Sequence, residues 1–456
     1  MSDDRPVAQP AGPAAGAPEP DGPVTFRDLF GVHEYRAIYV SLVVNWLGDY
    51  LARAAIVTLV YQRSESVLLS AASFAISYLP WIVGGPVLAA LAERYPYRRV
   101  LIVADLARAV PIALIALPGM PVYAILILLF VAMLGAPPTQ AARSALLPLI
   151  LDRRTLVTGL AVNTSTAQAA QVFGYLAGAL IATGINARLG IALDALSFLI
   201  SAAIIALWVL PRPAASGPDQ RRHLLRETGE GFRLVFGTPL LRSIALIVFA
   251  LTTFTILPEG LAAGWAALFQ DSASGRGFDQ GLIMAAGPVG YVIGGLVVSR
   301  LVRPSGRRRL VKPFVVLTPL ALALTMFAPN AATVAVLAAI SGVAQGGLMP
   351  TLNGEFVLAL PHGYRARAYG VIQGGVQFTQ FFAVMVTGAL AQVSSIPRVV
   401  GLWSIGGVVL MLVLVSRRPP YRQDGAPISA APPQPAEATR VTPSQVRSGA
   451  AGKLDR

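Results

Sequence analysis

IVGGPVLAALAERYPYRRVL, residues 82–101, begins as a stretch suited to hydrocarbon and ends in a glutamate, a proline and three arginines. VIGGLVVSRLVRPSGRRRLV, residues 292–311, aligns on it without a gap and matches Gly84 to Gly294, Gly85 to Gly295, Leu91 to Leu301, Arg98 to Arg308 and Arg99 to Arg309. The offset is 210 residues in a chain of 456. At the same offset AGAL (177–180) meets TGAL (387–390), and the acid Asp49 falls on Glu259. A repeat at that distance, passing from oil to charge in both copies, points to two like halves that each cross a bilayer several times.

The composition agrees, because 55% hydrophobic residues, 13% charged residues and a mean hydropathy of +0.64 exclude an ordinary soluble chain. Apolar runs long enough to span a bilayer as helix recur about twelve times. They cover about 37–61, 68–92, 99–118, 121–147, 156–184, 188–210, 244–268, 279–302, 311–328, 331–358, 369–392 and 397–416. Within lipid every backbone N–H and C=O must be satisfied inside the segment, so these runs are helices. The expected fold is an all-α polytopic membrane protein, with twelve transmembrane helices in two pseudo-symmetric six-helix halves. Residues 25–210 form the first half and 244–416 the second. Between them, 211–243 is a linker in which Leu225, Phe232 and Phe236 fall near one helical face, as in a helix lying on a membrane surface. The segments 1–24 and 417–456, rich in Pro, Ala and Gly, read as disordered tails, and the first has neither the basic start nor the apolar stretch of a cleavable signal.

The net charge of +14 raises nucleic acid as a partner, and the placement of the charge removes it. Of 36 Lys and Arg, only Arg63, Arg188, Arg276 and Arg398 fall in the loops opposite the tails, while Arg53 and Arg108 fall inside spans. All the others are counted with the tails or with the loops on the tails' side. That asymmetry is the positive-inside pattern, so the expectation is a multi-pass protein of the cell (inner) membrane with both termini cytoplasmic. The chain has no cysteine, and His33, His223 and His362 lie in loops. With no H-E-x-x-H and no P-loop, no enzyme, metal site or cofactor is expected, and any uphill work must draw on an ion gradient.

Charges inside spans cost about 2.5 kcal/mol or more each at the bilayer centre and need a reason. Asp49 and Arg53 are four apart on span one, and Asp105 and Arg108 are three apart on span three, so each pair can meet on one face. Asp194 and Glu355 sit near span ends and read as partly hydrated structural residues. Asp49 and Glu259 are deeper and occupy equivalent places in the halves. Span five carries Thr164, Gln168 and Gln171, and span eleven carries Gln373, Gln377 and Gln380, both at i, i+4, i+7. Each triplet makes a polar stripe, either helix-to-helix glue or the wall of a shared cavity. Trp46, Tyr50, Phe254, Phe378 and Phe381 would supply that cavity's apolar surface.

Ala89, Ala90, Leu91, Ala92, Glu93, Arg94, Tyr95, Pro96, Tyr97 and Arg98 resemble motif A of the major facilitator superfamily, G-x-L-A-D-R-x-G-R-K. Ala replaces the first Gly, Glu the Asp, Pro the second Gly and Tyr the first basic residue. The second-half copy keeps Gly306, Arg307 and Arg308 but has Arg303 in place of the acid. LGDYLARAA (47–55), ADLARA (104–109), RSALLPLIL (143–151) and LDALSFLISA (193–202) are similar to the branch of enterobactin-exporter-like and macrolide-efflux-like proteins. The resemblance, over about 30–416, implies a monomeric secondary transporter in the lipid bilayer that exchanges protons for a small-molecule substrate. It also implies a conformational latch in which Glu93 accepts hydrogen bonds from Arg98, flanked by Arg94 and Arg99, and attracts a helix N-terminus of the other half. The exporter stretch Gly-Pro-x-x-Gly-Gly of span five is here Gly174, Tyr175, Leu176, Ala177, Gly178, Ala179, without the proline and the last glycine. Export of amphipathic molecules therefore stands beside import and beside a non-transporting receptor or lipid-translocating role. Asp49, modulated by Arg53, is the expected coupling residue. Glu259 is a substrate-cation or secondary proton site, and Asp105 with Arg108 is the alternative route.

Overall fold

The computed structural model describes residues 25–212, 224–361 and 364–418; within them the side chains of Pro86, Val87, residues 89–93, Arg153, residues 224–228, Pro304, Ser305 and Ala366 lie outside the described residues. The expected tails, apart from Arg417 and Arg418, and the linker residues 213–223 are likewise outside them.

Helix follows helix. A short α1 (Phe26–Gly31) leads into α2 (His33–Ser64), then α3 (Val67–Ala75), which continues through one tighter turn into α4 (Leu79–Arg94). After α5 (Tyr97–Ile115), α6 (Val122–Met133) and α7 (Ala136–Leu146) come α8 (Arg153–Ile181) and α9 (Ala187–Trp208). The second half holds α10 (Leu224–Gly237), α11 (Pro239–Thr255), α12 (Leu257–Phe269), α13 (Ala273–Leu301), α14 (Pro304–Ala323), α15 (Ala331–Ala359), α16 (Arg365–Val393) and α17 (Ile396–Ser416). No strand occurs among the described residues. The starts are set by local chemistry: Ser66, Asp152, Asn186, Ser272 and Asn330 each accept a backbone N–H of the first turn through a side-chain oxygen. Asp152 lies outside the spans, and the hydroxyl and backbone N–H of Thr155 hold its carboxyl below the usual carboxylate range.

Among the described residues, ten segments are long and apolar enough to cross a membrane. One of them, Arg154–Trp208, is a single run of 55 residues that contains α8 and α9. The run turns back on itself at 182–186, because Gly178 on α8 and Gly190 on α9 both abut Leu51 of α2. The helix α5 is not among the ten, since Arg98, Arg99, Asp105 and Arg108 interrupt its apolarity.

Small residues set the closest approaches. On α13, Gly290 and Gly294 face the backbone of Ala339 and Val343 on α15; Gly342 and Gly346 of α15 face Gly287 and Tyr291 in return. Paired glycines four apart let two backbones touch, which is how helices associate where apolar burial gives no driving force.

One end of the bundle carries the arginine-rich turns at 94–99 and 303–309 and is called the basic end here; the other is the distal end. One apolar cluster is shared between halves: Val57, Phe74, Tyr78 and Tyr175 meet Leu261, Trp265, Met284 and Val400. The remaining clusters each belong to a single half. Hydrogen bonds between halves follow the same division. Thr58 donates to Gln280 at 2.8 Å, Gln280 to the Ala54 carbonyl at 3.1 Å and Gln392 to Ser66 at 2.5 Å. These bonds lie from mid-bundle to the distal end, where they join the halves. At the basic end each half is tied to itself, by Glu34 with Arg212 in the first and by Glu355 with Arg308 and Arg418 in the second. The helix α10 rides on α16 through Glu230 and Arg367, 2.7 Å apart.

Candidate functional site

The site is built around a buried ion pair between helices. Arg108 on α5 donates from Nη2 to Oδ1 of Asp49 on α2 at 2.6 Å. Space for the arginine exists because Gly135, between α6 and α7, has no Cβ: one there would lie 2.8 Å from Arg108 Cγ. The guanidinium is 4.2 Å from the centroid of the Phe198 ring, a cation–π contact that partly replaces lost hydration. Arg108 is 5% exposed, whereas the Asp49 side chain keeps 22% of its surface open to the cavity it lines.

Spacing along single helices pairs Asp49 with Arg53 and Asp105 with Arg108, and both pairings are corrected. Side chains four apart on one helix can meet, but inside a bundle neighbouring helices offer partners with better geometry. Arg53 lies over the rings of Tyr50 and Phe74, at 5.6 and 5.5 Å, and makes no ion pair among the described residues. Asp105 accepts from Ser201 Oγ at 2.6 Å and from Asn45 Nδ2 at 3.2 Å. Asp194 differs from expectation too. It is buried, not rim-hydrated, because α9 closes on α2 where Gly48 leaves room: a Cβ there would lie 2.5 Å from Asp194 Oδ1. With Asp49 and Arg53 it lines a narrow cleft inside the first half.

A larger cavity of about 740 Å³, its open mouth included, lies against the ion pair. Its walls include Trp46, Tyr50, Tyr78, Trp81 and Arg143 from the first half and Gln377 from the second. Glu259 stands apart from this cavity as a second buried carboxylate. It accepts from the Tyr175 hydroxyl at 2.8 Å and from Gln171 Nε2 at 3.2 Å, both on α8 of the other half. Tyr175 in turn meets Tyr50 edge to face, with ring centroids 5.3 Å apart. Asp49 and Glu259 are thus linked through Tyr50 and Tyr175, which is how the repeat places them in one neighbourhood.

The polar stripes divide. Gln171 reaches Glu259 and Gln377 reaches the cavity, with Gln168 and Gln380 half-buried on the same helices. Thr164 is exposed and bonds its own helix at Leu160, and Gln373 is exposed. Phe254, expected on a cavity wall, packs in the core of the second half, because Gly407 on α17 leaves the space its ring fills. Phe378 is 53% exposed and stacks on Phe382, while Phe381 packs against the cluster shared by the halves.

The latch residues are placed only in part. The side chain of Glu93 lies outside the described residues, and Arg94 and Arg99 are exposed. Arg98 donates to the Ala206 carbonyl on α9 of its own half, and the bond expected with Glu93 lies outside the described residues. In the repeat copy, Arg308 is 3.7 Å from Glu355, which also pairs with Arg418.

The sequence reading missed Arg143, Tyr78 and Trp81. Arg143 lies inside the expected span 121–147 and was counted with loop charge; its place one turn after Thr139, another residue of the cavity wall, was the available signal.

Such a fold and pair of carboxylates fit a known architecture. A family model described as Major Facilitator Superfamily matches residues 38–275 and 269–449. The chain belongs to the major facilitator superfamily. It is 26% identical over 367 residues to the multidrug efflux pump Tap of Mycolicibacterium fortuitum, covering 76% of this chain and 87% of that one. It is 27% identical over 423 residues to the enterobactin exporter EntS of Citrobacter koseri, covering 86% and 96%. A crystal structure of the peptide transporter POT in complex with sulfate superposes with a TM-score of 0.66 at 13% identity, over 86% of this chain and 94% of that one. That likeness concerns the fold alone. As a superfamily member similar to efflux proteins, the chain is a multi-pass membrane transporter for small molecules and not an enzyme.

Proposed function

We propose that this transporter exports amphipathic small molecules in exchange for protons, by alternating access. The observation that carries the reading is the position of Glu259: a buried carboxylate of one half, held by Tyr175 and Gln171 of the other, with Tyr175 packed on Tyr50 of the cavity that Asp49 lines. A titratable group bonded across the interface gives protonation a direct hold on the contact between halves. The bonds that join the halves distally support a distal seal and with it an inward-facing state, in which a substrate enters the cavity from the basic end. The basic loops make that end cytoplasmic, in the cell membrane, with twelve crossings when α8 and α9 count separately and α5 is included. Export is the favoured direction because Tap and EntS are named for efflux and for export, and 26–27% identity runs over most of their length.

Inside-out vesicles with an acidic lumen test the proposal. A panel of macrolides, catecholate siderophores and cationic dyes is offered at the outer face. Uphill accumulation of at least one member, abolished by an uncoupler and absent from vesicles bearing Glu259→Gln together with Asp49→Asn, is expected. Uncoupler-insensitive accumulation, or movement out of the lumen, refutes proton-coupled export.

A further inference from the structure

Arg143 is 7% exposed, yet among the described residues its Nε and Nη2 have no hydrogen-bond partner and it makes no ion pair. Burial of a guanidinium without a partner costs several kcal/mol, so a fold keeps one where something else completes its bonds. Asp105 is the nearest acid by electrostatic influence, but its carboxylate is engaged by Ser201 and Asn45, and Asp49 is engaged by Arg108. Arg143 lines the 740 Å³ cavity, and so does Arg53; of the three arginines in that wall, Arg108 is the one with a described ion pair. The rings around them, Trp46, Tyr50, Tyr78 and Trp81, are flat apolar walls.

We propose that this cavity holds an anionic group of the substrate, with Arg143 and Arg53 as its donors and the indole and phenol rings stacking on an aromatic body. The assignment rests on the transport reading above and narrows it: the substrate is an aromatic or amphipathic acid. A guanidinium presents a planar fork that matches a carboxylate in two bonds. Because Asp49 and Asp105 are already satisfied within the protein, a cationic substrate finds no free carboxylate in this cavity, and an anion finds two free guanidinium groups.

The test is equilibrium binding to the full chain in phosphatidylcholine nanodiscs, which needs no proton gradient and so stands or falls apart from export. Naphthoate, naphthamide and naphthylmethylammonium are titrated against the wild type, Arg143→Gln and Arg143→Lys. The wild type should bind naphthoate at least about ten-fold more tightly than either the amide or the amine, equivalent to about 1.4 kcal/mol. Arg143→Gln should lose that preference, and Arg143→Lys should retain part of it. Thermal unfolding of Arg143→Gln should stay at or above the wild type, because an unpartnered buried charge has been removed. Equal binding of the three probes, tighter binding of the amine, or unchanged naphthoate binding in Arg143→Gln overturns the proposal. Displacement of naphthoate by phosphatidylglycerol added to the disc also overturns it, by assigning the guanidinium groups to a lipid headgroup. A lowered unfolding temperature with no change in probe preference makes Arg143 a structural partner of Asp105.

Discussion

The ion pair that crosses from α5 to α2 gives a quantity that can be worked out before measurement. Two unit charges about 4 Å apart interact by about 4 kcal/mol at an effective dielectric of about 20. Removing one partner of a buried pair strands the other and typically costs about 3–5 kcal/mol. Asp49 keeps 22% of its side chain exposed, so water relieves part of this penalty and the lower end applies. Asp49→Asn should therefore cost about 3 kcal/mol, as should Arg108→Gln. The double variant leaves no charge stranded and should cost clearly less than the sum, by about 2 kcal/mol. Arg53→Gln combined with Asp49→Asn should instead add within about 0.5 kcal/mol, since Arg53 lies over aromatic rings and not on that carboxylate. The assay is reversible denaturant unfolding of purified protein in mixed micelles. Additive costs for Asp49 and Arg108, with coupling between Asp49 and Arg53, would refute the pairing described here and restore the one read along span one.

Three further outcomes follow from the same geometry. Gly277→Val on α13 pushes into Thr183 and the Ala179 carbonyl of α8 at the distal seal, an overpacking of about 2 kcal/mol against the sealed state; Thr58→Cys, buried in the wild type, should become reactive to impermeant maleimide from outside in that background, and unchanged protection refutes the seal. Tyr175→Phe removes one of two donors to Glu259 and should cost about 1–2 kcal/mol in stability; a cost below about 0.3 kcal/mol shows that the bond does not hold the halves. In the cysteine-free chain, Tyr95→Cys should resist impermeant reagents in intact cells and Ser274→Cys should react, and the reverse pattern overturns the orientation.

The two-half architecture was legible because hydropathy and the 210-residue repeat survive in one dimension. The pairing of charges was not, because i, i+4 spacing reports one helix while the partners of Asp49, Asp105 and Glu259 stand on other helices. Whether Asp49 meets Arg53 or Arg108 depends on the room that Gly135, without a Cβ, leaves beside Arg108, a property of packing. Arg143 illustrates the same limit: a charge near a span end looks like a rim residue until neighbouring helices close around it. Phe254 and Phe378 fail as cavity walls for a related reason, since an aromatic on a lipid-bathed helix can face core, cavity or hydrocarbon and sequence does not choose. Glu259 was legible through symmetry alone, as the repeat partner of Asp49.

The central claim is that substrate and proton exchange across the membrane through the site between the halves. Its most direct measurement is the lumenal pH of inside-out proteoliposomes, reported by a trapped dye, when a transported substrate is added outside an acid-loaded lumen. Alkalinisation of the lumen on addition, lost in Asp49→Asn and Glu259→Gln together while substrate binding persists, is the predicted result; acidification, or no proton movement alongside measurable substrate uptake, contradicts it.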